Sequence, residues 1–246
     1  MSEAIFRFYE ELNDFLTPRF RKRAFRSDLK GRQSVKDRIE SLGVPHTEVD
    51  LILVNGKSVD FNYILRDGDQ ISVYPVFETL NIKNITRLRE IPLRKTRFVA
   101  DINIRDIVTL MRALGFDVYY DPLLSPAEII RVSREEERII LTKSRKLLKF
   151  KDVTHGIFIR PGTVVQQTRG IVDFLTLRDA ARPFSRCLRC NSTLIKVRKE
   201  DVIERIPPKT RALCSEYSCC RRCDKIYWKG THYTKIKRMV DWVLNE

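Results

Sequence analysis

"RIILTKSRKLL", residues 138–148, is a short apolar run that passes into a basic turn. Ile139, Ile140 and Leu141 are consecutive apolar residues, two of them β-branched, and read as a buried strand. Thr142, Lys143 and Ser144 end it at the strand's carboxyl end. In an open α/β sheet that is where ligands and chemistry gather. An acid there could hold a divalent cation, and a lysine beside a small hydroxyl cannot. Whether this chain cuts something or only holds it turns on these three residues.

Around this strand, residues 97–181 alternate strands and helices. "RFVADINI" is an apolar strand ending at Asp101, and "NIRDIVTLMRALG" a helix striped by Ile104, Ile107, Val108, Met111 and Leu114. Gly115 stops that helix, and "FDVYYD" is the next strand. "SPAEIIRVSREEE" is a helix with Ser125 as N-cap and Pro126 in its first turn. "GIFIR" is a fourth strand and "VVQQTRGIVDFL" a last helix. The alternation predicts a mainly parallel sheet with helices on both faces. Asp101, Asp121 and the Lys143-Ser144 pair fall at strand ends. Carboxylates so placed suit Mg²⁺ or Mn²⁺ over a phosphodiester. For Asp101 a helix N-terminal acid, satisfying the amides that follow, is an equal reading.

All six cysteines lie between Cys187 and Cys223. "CLRC" at 187–190 and "CRRC" at 220–223 are two knuckles, so Cys187, Cys190, Cys220 and Cys223 are the expected ligands of one structural Zn²⁺. The 29 residues between the knuckles require an inserted loop. Cys214 and Cys219 are spares. Cys219 could replace Cys220, at the less typical x₃ spacing to Cys223. Arg189, Arg221 and Arg222 sit within the knuckles, and "KIYWKGTHYTKIKR" sets Tyr227, Trp228 and Tyr233 among Lys225, Lys229 and Lys235. Cations interleaved with aromatics suit stacked bases flanked by phosphates. Packing of the small ribbon's core is an equal use for Tyr227 or Trp228. Residues 182–246 are expected to form a zinc ribbon and a basic C-terminal helix.

Residues 1–80 read as ββαββ. "AIFRFYEEL" and "RAFRSDLKG" are strands, and "SVKDRIESLG" is a helix capped by Ser34 and closed by Gly43. "LILVNGKSV" is a hairpin about Asn55-Gly56, and "DGDQISVYPVF" adds a turn and a strand. This order resembles the ubiquitin-like β-grasp domains, especially the small sulfur carriers. The last strand runs into "YPVFETLNI" with no Gly-Gly end, so a docking role is expected in place of thiocarboxylate chemistry.

The net charge of +15 is uneven. Residues 1–80 carry 12 Lys/Arg and 13 Asp/Glu, residues 81–181 carry 19 and 12, and residues 182–246 carry 16 and 7. The excess after residue 80 points to a polyanion, RNA in particular, as partner, and the near-neutral first module is expected to contribute little to it. No apolar run approaches the ~20 residues of a membrane span, and no charged segment followed by an apolar one opens the chain. The expectation is a cytoplasmic chain without a membrane partner.

"RFVAD", "LMRALGFDVYYD", "RIILTKSRKLLK", "VTHGIFIR", "RCLRCN", "IPPKTR" and "YWKGTHY" follow in one order from residue 97. Together they resemble the Mut-seven C-terminal RNase domain family, a PIN-like domain followed by a zinc ribbon. "FRFYEELNDFL", "GVPHTEVDLILVNG" and "DGDQISVYPVFE" resemble the ubiquitin-like domain fused to some members. The resemblance implies an α+β and α/β multidomain chain: a β-grasp domain at 1–80, a linker at 81–96, a PIN-like three-layer α/β domain at 97–181, and the ribbon. It implies a metal-dependent hydrolase of RNA phosphodiesters, with Asp101 matching the first family acid and Glu128 a second. Ser125 and Ser144 stand where the family has acids. The expected function is RNA binding on a PIN-like ribonuclease scaffold with a depleted metal site, through Lys143, Arg145, Lys146, Arg189, Arg221, Arg222, Trp228 and Lys229. The alternatives are an active Mg²⁺- or Mn²⁺-dependent ribonuclease using Asp101 and Glu128, with Asp121 or Asp152 in support, and a protein-interaction module docking through the ubiquitin-like domain.

Overall fold

A computed structural model of the chain describes residues 2–75 and 96–245. The expected linker at 81–96 lies outside the described residues except for Thr96. The chain divides into two compact units. One is built from the described residues of Met1–Arg94 together with Ser144–Phe158, and the other from those of Lys95–Lys143 and Ile159–Glu246.

The core of the first unit is a five-stranded sheet covered by a helix. β1 (Glu3–Phe8) pairs antiparallel with β2 (Phe25–Asp28) and parallel with β5 (Gln70–Pro75). β3 (Val49–Val54) pairs antiparallel with β5 and with the short β4 (Lys57–Ser58), giving the order β2-β1-β5-β3-β4. Asn55 and Gly56 turn the β3–β4 hairpin with φ of 50° and 78°, the backbone that the Asn-Gly pair favours. Helix α1 (Val35–Ser41) is capped by Ser34, whose side chain accepts from the Asp37 amide. It buries Val35 and Ile39 against Phe6, Phe8, Ile52, Ile71 and Val73. This is the β-grasp arrangement expected from the ββαββ order.

Residues 144–158 join this core, which their place in the sequence does not suggest. Phe158 packs against the β-grasp cluster. Arg145 lies over the rings of Phe15 and Phe158 at 4.9 and 5.3 Å and donates to the Phe15 and Asp14 carbonyls. Buried His46 contacts Glu40 Oε1 through Nδ1 at 2.6 Å and the Val153 carbonyl through Nε2 at 2.7 Å. Lys149 donates to the Glu40 carbonyl.

In the second unit, β6 (Arg97–Ala100), β7 (Asp117–Tyr119) and β8 (Ile139–Thr142) are parallel, with β6 between the other two. The Ile159 amide extends the pairing by donating to the Thr142 carbonyl. Helix α2 (Arg105–Ala113) links β6 to β7, and α3 (Pro126–Glu135) links β7 to β8 and packs on β6 and β8. α2 packs against helix Val164–Phe174 and the C-terminal helix Thr231–Asn245, which buries Val240 and Val243. The ribbon is a three-stranded antiparallel sheet of Ile195–Val197, Tyr217–Cys219 and Ile226–Trp228. The long gap between the knuckles is filled by the first two of these strands and helix Pro208–Leu213, closed over Val202, Ile206, Tyr217, Cys219 and Ile226.

Ribbon and parallel sheet meet at the turn after α2. Gly115 has φ +94°, and a Cβ there would lie 2.2 Å from the Arg182 carbonyl oxygen. The chain entering the ribbon is fixed by Arg182 N–H to the Leu114 carbonyl and Phe184 N–H to the Ala113 carbonyl. Gly115→Ala is therefore expected to destabilise the protein by about 3 kcal/mol or more, through strain and clash together. Gly31→Ala, also at positive φ but with nothing within 4 Å, should cost about 1 kcal/mol. Denaturant titration of the two variants checks the contrast, and equal losses would contradict the packing described.

Candidate functional site

The two knuckles fold alike. Cys187 N–H donates to the Ser192 carbonyl and Asn191 N–H to the Cys187 carbonyl. In the second, Cys220 N–H donates to the Lys225 carbonyl and Asp224 N–H to the Cys220 carbonyl. Asn191 and Asp224, each directly after a knuckle's second cysteine, take φ of 69° and 57°. Asn and Asp are among the side chains that best tolerate this left-handed backbone. Each tight turn points two sulfurs to one side.

The Sγ atoms of Cys187, Cys190, Cys220 and Cys223 all lie within 4.8 Å of one another. Cys187 and Cys223 are 3.5 Å apart, Cys190 and Cys220 3.3 Å. Tetrahedral Zn–S bonds of ~2.3 Å require sulfurs about 3.8 Å apart. The four thiols thus form a group able to hold a metal ion such as Zn²⁺. Burial pushes the Cys223 thiol up to about 12 and raises Cys220. Burial acts the same way on Cys190, but hydrogen bonds from Ser192 and from neighbouring thiols outweigh it and bring that group down to about 6. Cys219 lies instead in the ribbon's apolar core, and Cys214 packs beside it. Alternation along strand Tyr217–Cys219 buries Cys219 and leaves Cys220 at the turn.

Side chains from the parallel sheet grip the first knuckle. Arg112, on α2 and 4% exposed, donates through Nη1 to the Leu188 and Arg189 carbonyls. Its Nε and Nη2 donate to the Val118 carbonyl on β7. Asn191 accepts from the Val118 amide and donates to Asp117 Oδ1. Asp117 also pairs with Arg138 at 2.7 Å and Arg186 at 3.6 Å. Tyr227 accepts from the Leu188 amide, and its hydroxyl lies 3.1 Å from Cys187 Sγ, within hydrogen-bonding distance. Arg112, Asp117 and Asn191 carried no functional signal in the sequence. Tyr227, read there as a stacking or core residue, serves the cysteine cluster.

At the strand ends, Asp101 is 8% exposed and both its oxygens are engaged. Oδ1 accepts from the Ile102 amide at 2.6 Å and Oδ2 from Thr142 Oγ1 at 2.7 Å. Glu128 is exposed and closes a capping box, accepting from the Ser125 amide and hydroxyl at 2.8 and 2.7 Å. Those bonds hold its carboxyl below the usual range. Asp121 accepts from the Leu123 amide. Ser144 caps the helical turn Arg145–Leu148 by accepting from the Leu147 amide. Among the described residues, no group of three His, Cys, Asp or Glu donors includes Asp101, Asp121, Glu128 or Asp152. Next to Asp101 in the chain, a cavity of about 180 Å³ is lined by Ile102, Asn103, Arg105, Asp106, Lys143 and Gln167 among others. Among the described residues, no side-chain hydrogen bond or ion pair engages Arg105 or Lys143.

The family model described as Mut7-C RNAse domain matches residues 96–240, and that described as Mut7-C ubiquitin matches residues 1–81. The chain belongs to the Mut7-C RNAse domain family. No curated protein and no solved structure matches it. Among the described residues, no helix is long and apolar enough to cross a membrane.

Of the cations expected to meet RNA in this Mut7-C chain, Lys143, Lys146, Arg189, Arg221 and Arg222 are exposed. Lys229 is exposed but paired with Glu216 at 2.8 Å. Arg145 is occupied by its contacts with Phe15, Phe158 and Asp14. Trp228 is half-buried against the ribbon's core.

The Asp117 cluster has a pH signature. Burial alone would raise this carboxyl, but hydrogen bonds from Arg138 and Asn191 and the charges of Arg138 and Arg186 hold it below its usual value. The stabilisation it gives is complete above the ordinary aspartate pKa of about 4 and is lost as pH falls through the lower folded value. Stability measured from pH 6 downward should decline below about pH 4, and Asp117→Asn should be less stable at pH 6 with a shallower acid decline. An unchanged acid slope in that variant would remove Asp117 from the account.

Proposed function

We propose that this protein binds RNA on a nuclease-family scaffold whose strand-end site has too few free acids for efficient metal-dependent cleavage. We further propose that Cys187, Cys190, Cys220 and Cys223 hold one structural Zn²⁺. The observation that carries the first reading is the use to which the strand-end side chains are put. Asp101 spends both oxygens on Thr142 and a backbone amide, Glu128 is closed into its own helix cap, and Ser144 caps a helical turn. Two-metal cleavage needs carboxylates that clamp both the attacking and the leaving oxygen. The cavity beside Asp101 is lined by two cations, Lys143 and Arg105, against one acid, Asp106. Cations bind phosphate, but they do not activate water.

The exposed Arg189, Arg221 and Arg222 stand on rigid knuckles, which suits contacts to the sugar–phosphate chain. The sequence reading of Lys143 and Lys146 as phosphate contacts is kept. Binding should be strongly salt-dependent, because each neutralised phosphate releases counterions. A metal-dependent ribonuclease is the second reading, favoured by Asp101, an acid at the end of a central parallel strand. Mg²⁺ would be held there by few protein oxygens and several waters.

Two measurements test these readings. Purified protein should contain one zinc per chain. Cys220→Ser should lose it and unfold the ribbon, since metal-binding energy is folding energy in such modules. A zinc-free, folded wild type would contradict the proposal. For the strand ends, wild type, Asp101→Asn and Ser144→Asp are incubated with labelled RNA and Mg²⁺ or Mn²⁺. Little or no cleavage by wild type is expected. Robust cleavage abolished by Asp101→Asn would establish the ribonuclease instead.

A further inference from the structure

We infer that the β-grasp unit carries a second RNA-backbone site on the loop that runs into β2, formed by Arg19, Lys22 and Arg23. The near-zero charge of residues 1–80 conceals it. Residues 19–32 hold seven of the twelve Lys/Arg (Arg19, Arg21, Lys22, Arg23, Arg26, Lys30, Arg32) and one acid, Asp28, a net of +6. The other residues up to 80 hold five Lys/Arg and twelve Asp/Glu, a net of −7. An average over the module reads as neutral, yet the charge is strongly polarised along the chain.

The cations are exposed, and the backbone that bears them is built. Buried Asn13 donates through Nδ2 to the Phe8 and Glu10 carbonyls, and its Oδ1 accepts from the Lys22 amide at 2.6 Å. Arg23 turns back onto the Arg19 carbonyl and Arg21 onto the Leu16 carbonyl. Phe20 stacks on Phe25 with centroids 4.2 Å apart, and the Arg19 guanidinium lies 4.5 Å over Phe20. Phe25 in turn stacks on Phe6 and Phe8 of the core. The loop is thus anchored from below by aromatics and from one side by Asn13, and it holds its charges outward. Among the described residues, Arg19, Arg21, Lys22, Arg23, Lys30 and Arg32 have no carboxylate partner, and only Arg26 is paired, with Glu3 at 3.4 Å.

Unpaired cations held close together repel one another, so such a loop gains from a partner with closely spaced anionic groups. Three such partners exist in principle. A membrane surface would be met by exposed apolar anchors as well. Among the described residues, none of the large exposed hydrophobic side chains, Ile102, Leu123, Phe150 and Ile203, belongs to the loop itself. A stable protein interface would offer an aromatic or apolar centre. Here Phe20 and Phe25 are turned into the stack. A phosphodiester backbone needs cations alone, and the chain's charge of +15 favours it.

This inference rests on the proposal that the protein binds RNA, and the test separates the two. Full-length Arg19→Gln/Lys22→Asn/Arg23→Gln removes three charges, and Asn suits the positive φ of residue 22. A second full-length variant carries Arg189→Ala/Arg221→Ala/Arg222→Ala. Both are titrated with a labelled single-stranded RNA across a salt series, after thermal unfolding has shown that they fold like wild type. The loop variant should bind about ten- to a hundred-fold more weakly at 0.1 M salt, with a log–log salt slope lower by about 2, from ~0.7 per phosphate contact. Wild-type affinity and slope in the loop variant, with binding lost in the ribbon variant, would overturn the inference and leave the RNA proposal standing. Loss of binding to anionic phospholipid vesicles, with RNA binding unchanged, would likewise overturn it. Absence of RNA binding in wild type would overturn both.

Discussion

The guanidinium of Arg112 carries more of this structure than any other side chain. It is buried between an α-helix, an edge strand and the first cysteine turn, and it donates to carbonyls on the last two. A buried arginine is tolerable only when its donors are satisfied, and breaking such an arrangement strands the charge at a cost of several kcal/mol. Burial works against the protonated group, while the charges of Cys187, Cys190 and Asp117 favour it. Were the four thiolates to hold a divalent metal, the group would be net negative, and Arg112 would be the cation against it. The helix, the strand and the knuckle must therefore be right together.

This contact also settles what happens at the edge of the parallel sheet. β7 is the outermost strand, and its free backbone groups would otherwise invite another strand. The Val118 amide is taken by Asn191 and the Val118 carbonyl by Arg112. The ribbon's first knuckle thus covers the edge with side chains. Gly115 lets the backbone of Arg182 come close enough for this. The fold of the knuckle and the protection of the sheet edge are thereby tied to the same side chains.

The sheet and helix pattern was open to reading in the sequence because local chemistry agrees with the fold at each point. Ser34 and Ser125 cap helices, Asn55-Gly56 turns a hairpin, and the apolar stripe of α2 lies where its spacing put it. The cysteine pairing was legible for the same reason, as the spacing within each knuckle is a geometric constraint. The remainder depends on contacts between distant residues. Arg112 sits 76 residues from Leu188, and nothing in a polar face of a helix marks one arginine for burial. His46 and Val153, 107 residues apart, tie residues 144–158 to the β-grasp core. The N-terminal cations were missed because charge was averaged over the module. At Asp101 the two readings of the sequence merge, since the acid at the strand end also caps the turn that follows.

On the proposed reading, fixed side-chain cations, and not a divalent metal at the strand ends, hold RNA. The direct measurement is RNA affinity at constant ionic strength with and without free Mg²⁺ or Mn²⁺. Divalent ions are removed by dialysis against a resin, and zinc retention is checked by metal analysis. The same dissociation constant is expected in both conditions. An affinity that collapses without free divalent ions while zinc is retained, and returns on their addition, would contradict it.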